Sequence, residues 1–207
     1  MAKYIKIYPD NPDFIRISEA AEILRNGGLV IYPTDTVYGL GAALSKPRAI
    51  ERLAQIKGIK PEKARFTLLF HSLSQMSDFA KQIDTPTFKI IKRGTPGPYT
   101  FVLPASHRLP KLFQKRKTIG FRIPANPIIR EILRELDEPI VNISIRDDDD
   151  IIEYTTDPEL IYEKWHKRVD AVVDGGILEK TPSTIIDFSE GEPRILREGK
   201  GDTSIIY

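Results

Sequence analysis

There is no cysteine in this chain, which removes a disulfide framework, a thiol nucleophile and any thiolate metal site together. No apolar run is long enough to span a bilayer, and the opening Met1-Ala2-Lys3-Tyr4-Ile5-Lys6-Ile7 has no h-region of the kind a secretory leader needs. A cytoplasmic protein without a membrane partner is the expectation. Charge of one sign is lacking too. With 31 Lys and Arg against 29 Asp and Glu the net charge is +2, too small to establish nucleic-acid binding unless the cations share one surface. His71, His107 and His166 are scattered without zinc spacing, no nucleophilic triad can be specified, and no metal site is assigned. Neither GxxxxGK[ST] nor GxGxxG occurs, so nucleotide binding cannot rest on a standard phosphate loop.

What is present suits one substantial core: 207 residues, 41% apolar, without a long flexible linker or an internal repeat. The pattern predicts helices over Ser18 to Asn26 (capped by Ser18), Pro47 to Ile56, a segment from Thr85-Pro86, one behind the Asn126-Pro127 cap, and Leu160 to Arg168. Strands are expected at Leu29 to Tyr32, Phe66 to Phe70, Tyr99 to Leu103, Thr118 to Ile123, Ile140 to Ile143, Ala171 to Val173, Thr184 to Phe188 and Arg194 to Leu196. The order is α/β. It predicts one mixed-sheet domain with helices covering parts of the sheet and a cleft lined by loops at strand ends. Trp165, with Ile161 beside it, reads as core or a packing seam.

The most informative stretch is Tyr32-Pro33-Thr34-Asp35-Thr36-Val37-Tyr38-Gly39-Leu40-Gly41, a polar turn between an apolar strand and a glycine-bearing return. It sets hydroxyls and a carboxylate where the chain leaves the sheet, a usual place for a site in open α/β folds. Its bland reading is a capped turn in which Asp35 satisfies local N–H groups. With Arg122-Ile123-Pro124, Pro182-Ser183-Thr184-Ile185-Ile186-Asp187 and Arg197-Glu198-Gly199 following in order, nearly the whole chain resembles the YrdC/Sua5 family of threonylcarbamoyl-AMP synthases, and especially its YciO subgroup.

That resemblance implies a single YrdC-like domain over 1–207, an α/β fold with a twisted mixed open sheet, flanking helices and a positively charged concave cleft, without the additional C-terminal domain of Sua5. It implies an ATP-dependent L-threonylcarbamoyladenylate synthase, a nucleotidyltransferase using L-threonine, bicarbonate and ATP, with Mg²⁺ arriving on the nucleotide. Its product feeds threonylcarbamoylation of adenosine 37 in tRNA, which makes tRNA and the t6A transferase machinery partners. An altered-substrate nucleotide enzyme, or a noncatalytic double-stranded RNA or ribosome-binding protein, are the alternatives.

The implied roles fall on particular residues. Thr34, Thr36 and Tyr38 orient threonine or carbonate through hydroxyls, and Arg122 takes a carboxylate bidentately. Gly39 and Gly41 permit close backbone approach. Lys57, with Thr34 and Arg122, belongs to the catalytic set, its ammonium neutralising charge as it develops. Lys57 matches the first position of the family's K-x-R motif, but Ile59 holds the Arg position. Either Lys60 takes that role as a point charge, or Lys63-Ala64-Arg65 supplies the spacing through a shifted alignment. The family's S-x-N appears as Ser144-Ile145-Arg146, so Ser144 remains a phosphate donor while Arg146 contacts phosphate itself or pairs with Asp147 to Asp150. That acidic run is either an exposed loop or an aid to Mg²⁺. Ser183 and Arg197 complete the nucleotide contacts. The basic stretches 57–65 and 111–117 form an RNA-facing rim if the fold unites them, with Phe113 either stacking on a base or buried.

Overall fold

The computed structural model describes residues 1–60, 64–81, 83–113, 116–145 and 153–207. In chain order these form β1 (Lys3–Lys6), α1 (Phe14–Arg25), β2 (Val30–Tyr32), β3 (Gly39–Ala43), α2 (Pro47–Ile56), β4 (Thr67–Leu69), α3 (Leu73–Ser77), α4 (Thr85–Gly94) and β5 (Tyr99–Pro104). There follow β6 (Thr118–Arg122), α5 (Pro127–Leu136), β7 (Ile140–Ser144), α6 (Glu153–Thr156), α7 (Pro158–Trp165), β8 (Ala171–Asp174), β9 (Thr184–Asp187) and β10 (Arg194–Arg197). All the strands join one open mixed sheet in the order β1-β8-β2-β3-β7-β4-β6-β5-β9-β10.

Local chemistry explains where the helices begin. Asn126 accepts from the backbone N–H of Ile128 and Ile129, Pro127 supplies a first-turn φ without wasting a donor, and Asp137 at φ 57° closes α5 in the left-handed region. Between these stops, Ile128, Ile129, Ile132, Leu133 and Leu136 recur at helical spacing and are all buried, a gain of roughly 1.5–3 kcal/mol for each large side chain. The first helix begins earlier than the Ser18 cap predicts: Asp13 caps it through Ile15 N, and Ser18 instead reaches Glu135 from within the helix. Likewise Asp157 starts α7 at Pro158, which ends at Trp165 rather than at Arg168.

Two apolar layers sandwich the sheet. One gathers Ile31, Leu40, Leu68, Phe101, Phe121, Val141 and Ile186 with residues of α2 and α7, including the buried Ile161 and Trp165. The other packs Val30, Tyr32, Leu69, Ile140 and Val173 against α1 and α5. Among the described residues this second layer takes nothing from β6, β5, β9 or β10. On that half of the sheet the face carries Gly120 and Arg122 from β6, Thr100 and Val102 from β5, and Ile185 and Asp187 from β9, following the two-residue alternation of strands. That helix-free half is the floor of the candidate site.

Candidate active site

Tyr32 and Gly39 are paired across β2 and β3, so residues 33–38 form the loop between them. Gly39 and Gly41 do permit a close approach, and the group that approaches is the Tyr32 ring. A Cβ at Gly39 would lie 2.7 Å from Tyr32 Cε2, and the Tyr32 hydroxyl, buried by this arrangement, donates to Asn142 Oδ1 at 2.8 Å. Burial raises the Tyr32 pKa well above the ordinary phenol value.

Within the loop, the hydroxyl of Thr34 donates to Val37 O at 2.7 Å and accepts from Thr36 N at 3.1 Å. Thr34 has one proton and has spent it, so the 3.0 Å contact between the two hydroxyls must have Thr36 as donor. Both threonines are buried. The pair therefore has no proton left over, and what it still offers is the lone pairs of Thr36 Oγ1. The hydroxyl pair is an acceptor.

Tyr38 lies in the same loop, but its hydroxyl points elsewhere. It donates to Gly176 O at 2.8 Å and accepts from Gly175 N at 3.2 Å, and burial raises its pKa. A phenol whose proton is committed to the backbone holds the 175–176 turn. A Cβ at Gly175 would sit 2.6 Å from Pro33 Cγ, so that turn in turn supports the start of the threonine loop. Asp174 ties it further, accepting from Gly176 N at 2.9 Å and Tyr4 Oη at 3.0 Å.

Arg122 ends β6 on the floor and reaches back across 87 residues of sequence to Asp35, with Nη2 donating to Oδ1 at 2.6 Å. This replaces the local N–H contacts that the turn alone suggests for Asp35. The pair is nearly out of solvent, with side-chain exposures of 6% and 14%. It is also half made. Arg122 Nε and Asp35 Oδ2 are both buried without a hydrogen-bond partner, a cost of about 1–3 kcal/mol for each such atom. The pair thus keeps an unused donor on Arg122 and an unused acceptor on Asp35, the chemical complement of a carboxylate and an ammonium.

On the far side of the floor, Ser183 is buried immediately before β9. Arg197 Nε and Nη2 donate to Ser183 O at 2.9 and 2.7 Å, and Nη2 lies 3.1 Å from Ser183 Oγ. Arg197 thus presents one edge of its guanidinium to the protein and fixes Ser183. Gly199 is required here because a Cβ would collide with the carbonyl oxygens of Pro182 and Ser183.

Three more predicted residues lie among those described. Ser144 is exposed at the end of β7, paired with Gly39 and on the same face as the buried Asn142. Lys57 caps the C-terminus of α2, and Lys60 is exposed three residues beyond it. Arg146, Lys63 and the acidic run 147–150 lie outside the described residues. The two basic stretches do meet: Arg116 Nη2 donates to Ala64 O, and its guanidinium lies 5.8 Å from the Phe66 ring and 5.6 Å from the Phe113 ring. Burial lowers the Arg116 pKa. Phe113 is fully buried, which removes it as a base-stacking platform.

Sequence reasoning missed Asp35 as the partner of Arg122, and it missed Thr67, Thr100 and Asn142 on the floor. Asn142 was detectable, being the one polar residue inside the apolar run Ile140 to Ile143. Among the described residues no group of three His, Cys, Asp or Glu side chains is placed to hold a metal, and no helix is long and apolar enough to cross a membrane.

The chain and its fold are similar to those of known proteins. Residues 22–199 match the Sua5/YciO/YrdC family model, described as "Telomere recombination". The crystal structure of Escherichia coli YciO superposes with a TM-score of 0.91 at 38% identity, covering 100% of both chains. A Pyrococcus abyssi relative named threonylcarbamoyl-AMP synthase is 32% identical over 190 residues, 89% of this chain and 54% of that protein. The P. abyssi Sua5 structure complexed with L-threonine has a TM-score of 0.83 at 30% identity, covering 95% of this chain and 57% of that one.

Proposed function

This chain belongs to the Sua5/YciO/YrdC family, and from that membership we propose that it is an ATP-dependent L-threonylcarbamoyladenylate synthase serving tRNA t6A formation. The observation that carries the reading is the half-made Asp35–Arg122 pair beside the acceptor-only Thr34–Thr36 hydroxyl pair. It suits an α-amino acid, and the P. abyssi relative binds L-threonine.

In this reading Arg122 holds the threonine carboxylate, and Asp35 with Thr36 Oγ1 holds its ammonium. The ammonium passes a proton to bicarbonate, which loses water to give CO₂; the amine nitrogen then attacks that carbon as one C=O π bond opens onto oxygen, and the remaining N–H proton leaves to solvent as the carbamate forms. A carbamate oxygen then attacks the α-phosphorus of ATP, the bond to the β-phosphate oxygen breaks, and pyrophosphate leaves. Proximity of the two substrates on one floor supplies most of the advantage, because the carbamate is labile and must meet the nucleotide before it escapes. In the same reading Lys57 and Lys60 offset the growing phosphate charge, Ser144 and Ser183 donate to the nucleotide, and Arg197 holds Ser183 in place. Mg²⁺ carried by the nucleotide would supply charge neutralisation of the pyrophosphate, with no residue of this chain assigned to hold it.

The test is mass-spectrometric detection of threonylcarbamoyl-AMP from purified protein with L-threonine, bicarbonate, ATP and Mg²⁺. Product that vanishes when any substrate is omitted is expected. Well-folded protein that makes none overturns the synthase reading. The Arg116 tie between the basic stretches favours a second reading, a double-stranded RNA-binding rim. Salt-sensitive RNA binding that persists without any ATP turnover would select it.

A further inference from the structure

The sheet is open, so it has two edges, β1 and β10. The β10 edge is blunted. Its register with β9 shifts between Ile195 and Arg197, leaving Leu196 as an extra residue, and such a bulge turns an edge away from regular pairing with a further strand. No such defect marks β1, where Lys3 to Lys6 pair one for one with Ala171 to Asp174. Lys3 N donates to Asp170 O at 2.9 Å and Ile7 N to Asp174 O at 2.8 Å, so these residues face β8. By the alternation of a strand Ile5 faces β8 as well, and the N–H and C=O groups of Tyr4 and Lys6 point out of the sheet.

Lysine ordinarily guards an edge of this kind with its charge. Here both lysines are engaged within their own chain. Lys3 Nζ lies 2.7 Å from Glu19 Oε1, and Lys6 Nζ lies 3.8 Å from Asp174 Oδ2 and 5.7 Å from the centroid of the Tyr8 ring. The surroundings are apolar: Met1, Tyr4, Tyr8, Phe14 and Ile15, five of the nine large hydrophobic side chains exposed among the described residues, belong to β1, its flanks or the start of α1. Tyr8 and Phe14 are 67% and 69% exposed, which leaves roughly 250–300 Å² of ring in water. That is about a third of the ~800 Å² each partner buries in a standard interface, before the strand itself is counted.

We propose that β1 is a self-association edge, pairing antiparallel with β1 of a second copy of this chain about a twofold axis at Ile5. The occupant follows from self-complementarity. With Tyr4 opposite Lys6 of the second copy, and Lys6 opposite its Tyr4, every outward N–H and C=O gains a partner and each ammonium meets a phenol ring. The neighbouring registers fail. Tyr4 against Tyr4 sets Lys6 opposite Ala2, whose N–H already donates to His166 O and whose carbonyl accepts from Tyr162 Oη. Lys6 against Lys6 places like charges side by side. In the favoured register Tyr8 falls beside Ala2 and the exposed Met1 of the second copy. The candidate floor lies on β6, β5 and β9 in the opposite half of the sheet, so pairing leaves it open in both copies.

Sedimentation velocity over a concentration series tests this, with wild type expected to pass from monomer to dimer. Lys6→Pro removes an outward donor and no bond to β8, and because symmetry doubles the loss it should weaken dimerisation by about thirtyfold or more. Lys6→Ala keeps the N–H and should stay within about fivefold of wild type. A thermal melt checks that each variant folds. The chain has no cysteine, so introduced ones read the register without interference. Opposite residues about 5.5 Å apart at Cα suit a disulfide, and the Tyr4→Cys, Lys6→Cys double variant should oxidise to covalent dimers. In either single variant the two cysteines stand about 8–9 Å apart and should not cross-link. A wild type that stays monomeric throughout overturns the proposal and leaves the edge to a strand of some other protein. Dimers that survive Lys6→Pro unweakened, or are lost equally in Lys6→Ala, overturn backbone pairing at this edge. Cross-linking no greater in the double variant than in the singles overturns it as well.

Discussion

Two hydroxyl pairs flank Arg122, Thr34 with Thr36 and Thr100 with Ser183, and their oxygen separations of 3.0 and 2.9 Å are almost identical. Their hydrogen-bond characters are opposite. The first pair borders the Val37 carbonyl, which takes a proton from it, so it is left with open lone pairs. The second borders the Arg197 guanidinium, which gives it a proton, so it is left with one O–H to donate. Residue type alone does not say whether a threonine binds a cation or an anion; the neighbour's hydrogen-bonding sense does. One pair accepts and the other donates, so two pairs of the same residue class differ in hydrogen-bonding sense on either side of one arginine.

The harshest way to break this comparison is to remove the residue between the two pairs. Arg122→Ala leaves Asp35 buried without its partner, and unfolding in urea should show a loss of about 3–5 kcal/mol. A loss under about 1 kcal/mol would mean that the pair is effectively solvated and that the two ends are not electrostatically joined. The comparison sharpens through the acceptor end. Thr34→Val strands the Val37 carbonyl and should cost about 1–3 kcal/mol of stability. Thr36→Val should instead raise the KM for L-threonine by about tenfold with ATP affinity unchanged, the worth of one hydrogen bond to a charged group. Equal effects on both substrates would show that the ends are not distinct.

The smallest expected effect lies in the supporting phenols. Tyr32 and Tyr38 have pKa values raised chiefly by burial, so above about pH 10, the ordinary phenol value, the unfolded chain releases protons that the folded one keeps. Stability contributed by these groups is complete below that value and declines as pH rises toward their folded pKa. Phenolate absorbance in the folded protein should therefore lag behind that of the denatured protein. Coincident titration curves would place these rings in water and detach the 175–176 turn from the threonine loop.

Much of the scaffold was legible because its signals are local. Asn126-Pro127 followed by apolar residues at helical spacing leaves little choice but α5, and Pro47 to Ile56 matches α2 at both ends. β3 was read only as a glycine-bearing return, since Gly39 and Gly41 have poor strand propensity. It is a strand because the Tyr32 ring fills the space their missing side chains leave. Short Lys3–Lys6 carries a single buried position and has no periodicity to detect, yet parallel pairing with β8 makes it β1.

At the site, Thr34, Thr36, Arg122, Ser183 and Arg197 all fall around one floor, while Tyr38 turns its hydroxyl to the backbone. The amino-acid order by itself determined which hydroxyls, carboxylates and guanidinium groups the chain possesses, and the polarity of the Thr34 turn, whose acceptor Val37 is three residues away. Only the tertiary structure decided that Asp35 meets Arg122 and that Thr100, Ser183 and Arg197 share one proton economy. The reason is the short range of a hydrogen bond: its direction depends on a neighbour within about 3 Å, and for these groups folding brings that neighbour from a distant part of the chain.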